Sequence, residues 1–152
     1  MDLILWRHAE AEEGDPDLER ALTAKGQKQA RRMAEWLDAQ LPDACKILVS
    51  PAVRTLQTVE PLGRKFKVSP ELAPGAAPQD LLRAVNWPNS KEPVLVVGHQ
   101  PTLGRVAALI IAGSPQPWEI KKGAAWWIAQ RDPRDPDSLF LKAVMSPDMI
   151  VK

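Results

Sequence analysis

Three short apolar runs constrain the fold of this chain more than any other feature. They are Leu3-Ile4-Leu5-Trp6, the stretch "KILVS" from Lys46, and "PVLVVGH" from Pro93. The last is uninterrupted, as in strands buried on both faces of a sheet. Segments of helical character separate the runs. Strands that alternate with helices specify an α/β fold. The expectation is a three-layer open, largely parallel sheet with helices on both faces, with residues 1–152 forming a single domain.

The segments between the runs supply their own start and stop signals. Thr23 is placed to cap a helix through about Leu41, with Ala30, Met33, Ala34, Leu37 and Leu41 on one stripe and Pro42 as the stop. Ser50-Pro51 has the chemistry of a cap and first turn, which predicts a second helix from there, kinked or restarted at Pro61. "FKVSPELAP" reads as a short extended piece and a loop, and "PQDLLRAVNW" as a brief helix. Pro101 or Thr102 opens a helix to about Ala112 that faces inward through Leu103, Val106, Ala107 and Ile110. "GAAWWIAQRD" and "SLFLKAVMS" read as two late strands joined by "DPRDPD".

Composition excludes several classes of function. The formal net charge is +1, which gives no general attraction to nucleic acid or to anionic membranes. No apolar run approaches the roughly 20 residues that span a bilayer, and no basic-then-apolar leader opens the chain, so a cytoplasmic location is expected. Cys45 is the single cysteine and reads as a small buried apolar residue; tyrosine is absent. Trp118, Trp126 and Trp127 read as core or strand-packing residues, the alternative being surface anchors.

The chemistry concentrates where the apolar runs end. The first run ends in Arg7-His8, the second leads through Ser50-Pro51 to Arg54, and the third ends in Gly98-His99. Open α/β sheets bind ligands at the carboxyl ends of their strands. If the three strands are parallel neighbours, two arginines and the only two histidines meet at one edge. Guanidinium groups match phosphate oxygens two at a time, and nearby cations keep an imidazole neutral and nucleophilic. A two-histidine metal site is the rival chemistry; it lacks a third ligand, and two arginines would repel the ion. No metal and no cofactor are expected.

These residues form recognisable motifs. "LILWRHAEA", "LTAKG", "ILVSPAVRTLQT" and "VLVVGHQPTL" resemble, in order and spacing, the motifs of the histidine phosphatase (phosphoglycerate mutase-like) superfamily, over residues 1 to about 112. The short chain and the ending "AVMSPDMI" look most like the small SixA-type phosphohistidine phosphatases. The resemblance implies that His8 is the nucleophile, that Arg7 and Arg54 bind the phosphoryl group and that His99 completes the pocket. Arg20 matches an arginine near the phosphate site in small members; its plainer reading is a loop charge facing solvent.

Two positions depart from the family pattern. Ala9 stands where glycine is usual after Arg-His. The carboxylate by which larger members protonate a leaving alcohol has no equivalent in "SPELAPGAAPQD". Glu71, Asp80, Glu10 and Glu12 are the candidate stand-ins, each with a plainer reading as surface charge. Imidazole, with a pKa of about 6.5, demands less of an acid than an alkoxide does. The expected substrate is therefore a phosphorylated protein bearing phosphohistidine. The alternatives are a small phosphate ester or, in another class, a catalytically silent phosphate-binding module.

Overall fold

A computed structural model describes residues 1–150; the last two residues of the expected 1–152 domain lie outside the described residues. Its six strands are β1 (Asp2–Arg7), β2 (Lys46–Val49), β3 (Lys67–Val68), β4 (Val94–Gly98), β5 (Ala125–Gln130) and β6 (Leu139–Met145). They form one sheet in the order β3-β2-β4-β1-β5-β6. The first four strands pair in parallel, while β5 runs antiparallel to β1 and β6 antiparallel to β5. The α/β expectation and the late hairpin both hold.

Alternation along the strands divides the core between two faces. Ile4 and Trp6 of β1 pack with Ile47, Val49, Leu95 and Val97 beneath Met33, Ala34 and Leu37 of α1 (Ala24–Gln40) and Val59 of α2 (Val53–Val59). Leu3 and Leu5 point the other way. They join Val94, Val96 and Ile128 beneath Leu81 of α3 (Pro78–Ala84) and Leu103, Val106 and Ala107 of α4 (Thr102–Ala112). Every side chain from Leu3 to Trp6 is fully buried, as a strand covered on both faces requires.

The helix ends follow local chemistry. The Thr23 hydroxyl accepts from the Gly26 amide at 2.9 Å and caps α1. At the other end Arg64 donates to the carbonyls of Asp38, Leu41 and Pro42 and to the Asp38 carboxylate, a cation set against the negative end of the helix dipole. The second helix corrects the sequence reading. It opens at Val53 with Ala52 at the cap position and no side-chain cap, while the Ser50 hydroxyl is engaged with His99. The restart at Pro61 is a single 3-10 turn, Glu60–Leu62. The brief third helix ends at Ala84 rather than Trp87, as the chain turns through Asn86 in the left-handed region. Cys45 is half-buried rather than buried. Among the described residues no helix is long and apolar enough to cross a membrane.

Gly26, the glycine of "LTAKG", is there for a steric reason. A Cβ at this position would lie 1.9 Å from the backbone oxygen of Glu10, so the first turn of α1 sits directly on the segment that leaves His8. Main chain cannot yield as a flexible side chain does. Gly26→Ala is expected to destabilise the fold by about 2 kcal/mol or more in chemical denaturation; an unchanged midpoint would show that the two segments separate freely.

Candidate active site

The site is built by register. Arg7 is the partner of Gly98 in the β1–β4 pairing, and Val49 is the partner of Val97 in the β2–β4 pairing. The ladder runs one step past the strands, since the His8 amide donates to Gly98 O at 3.1 Å and the Ser50 amide to Val97 O at 3.0 Å. His8, His99 and Ser50 therefore leave three adjacent strands at one level of the sheet. The two imidazole rings lie 5.4 Å apart, centroid to centroid.

Backbone geometry fixes the tautomer of His8. Its Nδ1 is 2.7 Å from the carbonyl oxygen of Ala9, an atom that can only accept, so Nδ1 carries the proton. Nε2 is left with its lone pair and with no hydrogen-bond partner among the described residues. Burial pulls the imidazole down to about 4, helped by the charges of Arg54, Arg7 and Arg20 and opposed by the bond to Ala9. His8 is thus a neutral base at pH 7.

The arginines are held by their ends. Arg7 donates through Nη1 to Ile120 O at 3.0 Å. Arg54 is almost fully buried and donates through Nη1 to Asp17 O at 2.7 Å and through Nη2 to the Asp17 carboxylate at 3.0 Å. The other Asp17 oxygen takes Arg20 at 3.1 Å, and the two guanidiniums hold this exposed carboxylate below its ordinary range. Arg20 also donates to Glu12 O. It is tied into the first loop and meets neither imidazole through a hydrogen bond; only its charge reaches His8.

His99 presents the other orientation. Its Nε2 lies 2.7 Å from the Ser50 hydroxyl, and burial, with Arg54, His8 and Arg7, pulls the ring down to about 3 against the opposing charge of Asp17. Buried side-chain nitrogens without a partner are rare in folded proteins. Among the described residues the unpartnered buried side-chain N and O atoms are Arg7 Nε, Arg54 Nε and His99 Nδ1. All three belong to the four residues singled out in the sequence.

The block "SPAVRTLQT" explains why these groups stay in place. Thr55 donates to Ser50 O and Ala52 O, Gln57 accepts from the Leu22 amide, and Thr58 accepts from the Ala9 amide while donating to Arg54 O. One short helix thereby fastens the strand that leads to Ser50, the first loop and the backbone behind His8. The sequence reading missed Ser50, Thr58 and Asp17 as parts of the site. Thr58 belongs to a short helix that also carries Thr55 and Gln57, whereas Ser50 and Asp17 lie outside it, and the partner of each of the three is remote in the chain.

Ala9 fits without strain. It is fully buried beside Leu22 and Ala30, and its backbone is not in the left-handed region that would call for glycine. The candidate acids are engaged elsewhere: Glu71 accepts from Ser69, Asp80 pairs with Arg83, and Glu10 accepts from Thr23. Glu12 is exposed. Among the described residues no carboxylate hydrogen-bonds to either imidazole, and no cluster of three His, Cys, Asp or Glu is arranged to hold a metal ion.

Comparison with known proteins agrees with this architecture. The family model of the histidine phosphatase superfamily (branch 1) matches residues 3–81, more than half of the chain. The chain belongs to the histidine phosphatase superfamily, in its small SixA-type branch, and is a hydrolase. It is 32% identical to phosphohistidine phosphatase SixA of Escherichia coli (strain K12) over 77% of this chain and 78% of that protein. A structure of protein histidine phosphatase SixA complexed with tungstate superposes with a TM-score of 0.77 at 28% identity, covering 97% of this chain and 98% of that one. The fold alone extends to a phosphoserine phosphatase of Entamoeba histolytica, at a TM-score of 0.72 and 15% identity over 99% of both chains.

The depressed histidines predict a pH signature. Each is neutral in the folded protein at pH values where an unfolded imidazole, of pKa about 6.5, has begun to bind a proton. The unfolded state then holds more protons, so stability is full above about pH 6.5 and is lost as the pH falls towards 4. NMR titration of the two rings should give midpoints well below 6; a midpoint near 6.5 for His8 would contradict the site as described.

Proposed function

We propose that this protein is a metal-independent phosphohistidine phosphatase that takes the phosphoryl group from a histidine on another protein through a covalent phosphohistidine on His8. The observation that carries the reading is the set of three buried, unpartnered nitrogens on Arg7, Arg54 and His99 beside the free Nε2 of His8. An oxyanion among them supplies the missing partners, and the guanidiniums meet its charge. The likeness to SixA supports the substrate class.

The reaction runs in two in-line displacements. The Nε2 lone pair of His8 attacks phosphorus and the new N–P bond forms as the P–N bond to the substrate imidazole breaks; the electron pair of that bond returns to the leaving nitrogen, and the ring departs as neutral imidazole with the proton its other nitrogen already carries. Arg7, Arg54 and His99 hold the equatorial oxygens. Water then attacks the phosphohistidine, the P–Nε2 bond breaks, inorganic phosphate leaves and His8 recovers its lone pair. The Ala9 carbonyl keeps Nδ1 protonated throughout and favours the positive charge that phosphorylation places on the ring. An imidazole leaving group suits a site in which the four carboxylates considered as acids, Glu71, Asp80, Glu10 and Glu12, make no hydrogen bond to either imidazole, the first three being engaged with Ser69, Arg83 and Thr23.

His8→Ala is expected to abolish turnover, and wild-type protein quenched during reaction with labelled phosphohistidine should carry acid-labile phosphate. Full activity in the variant would overturn the proposal. Incubation with EDTA should leave the rate unchanged, and a large loss would require a metal. Rapid hydrolysis of a sugar phosphate with none of phosphohistidine would assign the same site to small esters. Phosphate binding without turnover of any substrate would make the protein a binding module.

A further inference from the structure

The two histidines of the site have opposite kinds of partner. His8 faces a carbonyl oxygen, which accepts and nothing else. His99 faces a hydroxyl, which donates or accepts as required, and Ser50, which supplies it, is fully buried. We infer that Ser50 is a positioning residue for the reaction: its hydroxyl donates to Nε2 of neutral His99, keeps the proton on Nδ1, and so turns a donor towards the phosphoryl oxygens. The inference rests on the phosphatase reading of the site and assigns one further residue to it.

Three observations support this direction. Nε2 is spent on Ser50, so Nδ1 is the nitrogen that His99 has left to offer, and it is buried without a partner. Phosphoryl oxygens accept hydrogen bonds, so a ring that contacts them must present N–H; a lone pair on Nδ1 would repel them. The Ser50 oxygen already accepts from the Ala52 amide at 3.4 Å, and Thr55 pins Ser50 O and Ala52 O from below, which leaves the hydroxyl hydrogen free to point at Nε2.

A hydroxyl also serves the other protonation state. The groups around His99 are Arg54, His8, Arg7 and Asp17. A phosphoryl dianion placed among them favours imidazolium. A second proton on Nε2 then needs an acceptor, and the Ser50 hydroxyl rotates to become one. A carbonyl at this position would hold the proton on Nε2 and turn the Nδ1 lone pair towards the anion. A carboxylate would hold the ring charged in every state. The serine that heads "SPAVRTLQT" is therefore selected by its partner on the next strand rather than by the helix that follows.

The test is the tautomer itself. Protein labelled with 15N-histidine has only two rings to resolve, and His99→Gln assigns them. At pH 7 the wild-type His99 is expected to show a protonated, pyrrole-like Nδ1 and a pyridine-like Nε2, the less common form for free histidine. Ser50→Ala should shift the proton to Nε2 and lower kcat by about tenfold with a smaller change in KM. A wild-type His99 protonated at Nε2 would overturn the inference, as would a folded Ser50→Ala protein whose ring signals and kcat are unchanged. The tautomer is read without turnover. An Nδ1–H ring in a protein that hydrolyses nothing would thus remove the activity and retain the hydrogen bond, while turnover with an Nε2–H ring would do the reverse.

Discussion

The structure depends above all on the in-register pairing of β4 between β1 and β2. Two ladders that keep step to their last residues deliver His8, His99 and Ser50 to the same height on neighbouring strands. A slip of one residue in either pairing would turn those side chains to opposite faces of the sheet and separate them. The register is itself held by close packing: the side chains of Leu3 to Trp6 and Val94 to Val97 are enclosed on both faces of the sheet, and a slip would misfit each to its neighbours. The apolar runs that fold the protein are thus also the ruler that spaces its chemistry.

Charge and hydrogen bonding divide labour at the ends of those strands. The arginines are anchored at their terminal nitrogens, to Ile120 O in one case and to Asp17 in the other, and keep Nε for a ligand. Asp17 stands at the surface and takes Arg20 as well, so one exposed carboxylate ties the first loop to a buried guanidinium. The same cations, together with burial, keep both imidazoles neutral. In the proposed reaction, that neutrality makes His8 a nucleophile without an activating base.

Much of this was legible in the sequence, and the limits are instructive. The apolar runs, the stripe on α1, the Thr23 cap and the bounds of α4 depend on local periodicity, which one chain displays openly. The grouping of Arg7, His8, Arg54 and His99 at one edge needed only the added rule that parallel strands place their ends together. In the sequence Ser50 reads as a helix cap, since serine before proline has the chemistry of a cap and first turn. Its actual partner is 49 residues away, and nothing local announces a contact between strands. Thr58 and Asp17 were missed for the same reason, since their partners are Ala9 and Arg54. Ala9 in place of glycine is a departure that the backbone accommodates, since the position has no positive φ.

The central claim is that one oxyanion completes the bonds that Arg7, Arg54 and His99 leave unmade and faces Nε2 of His8. A crystal structure of this protein with tungstate tests it most directly. The account predicts a single strongly bound ion whose oxygens lie within hydrogen-bond distance of Arg7 Nε, Arg54 Nε and His99 Nδ1, with the metal atom facing the His8 ring. An ion bound elsewhere, or one that leaves those three nitrogens without partners, would contradict it.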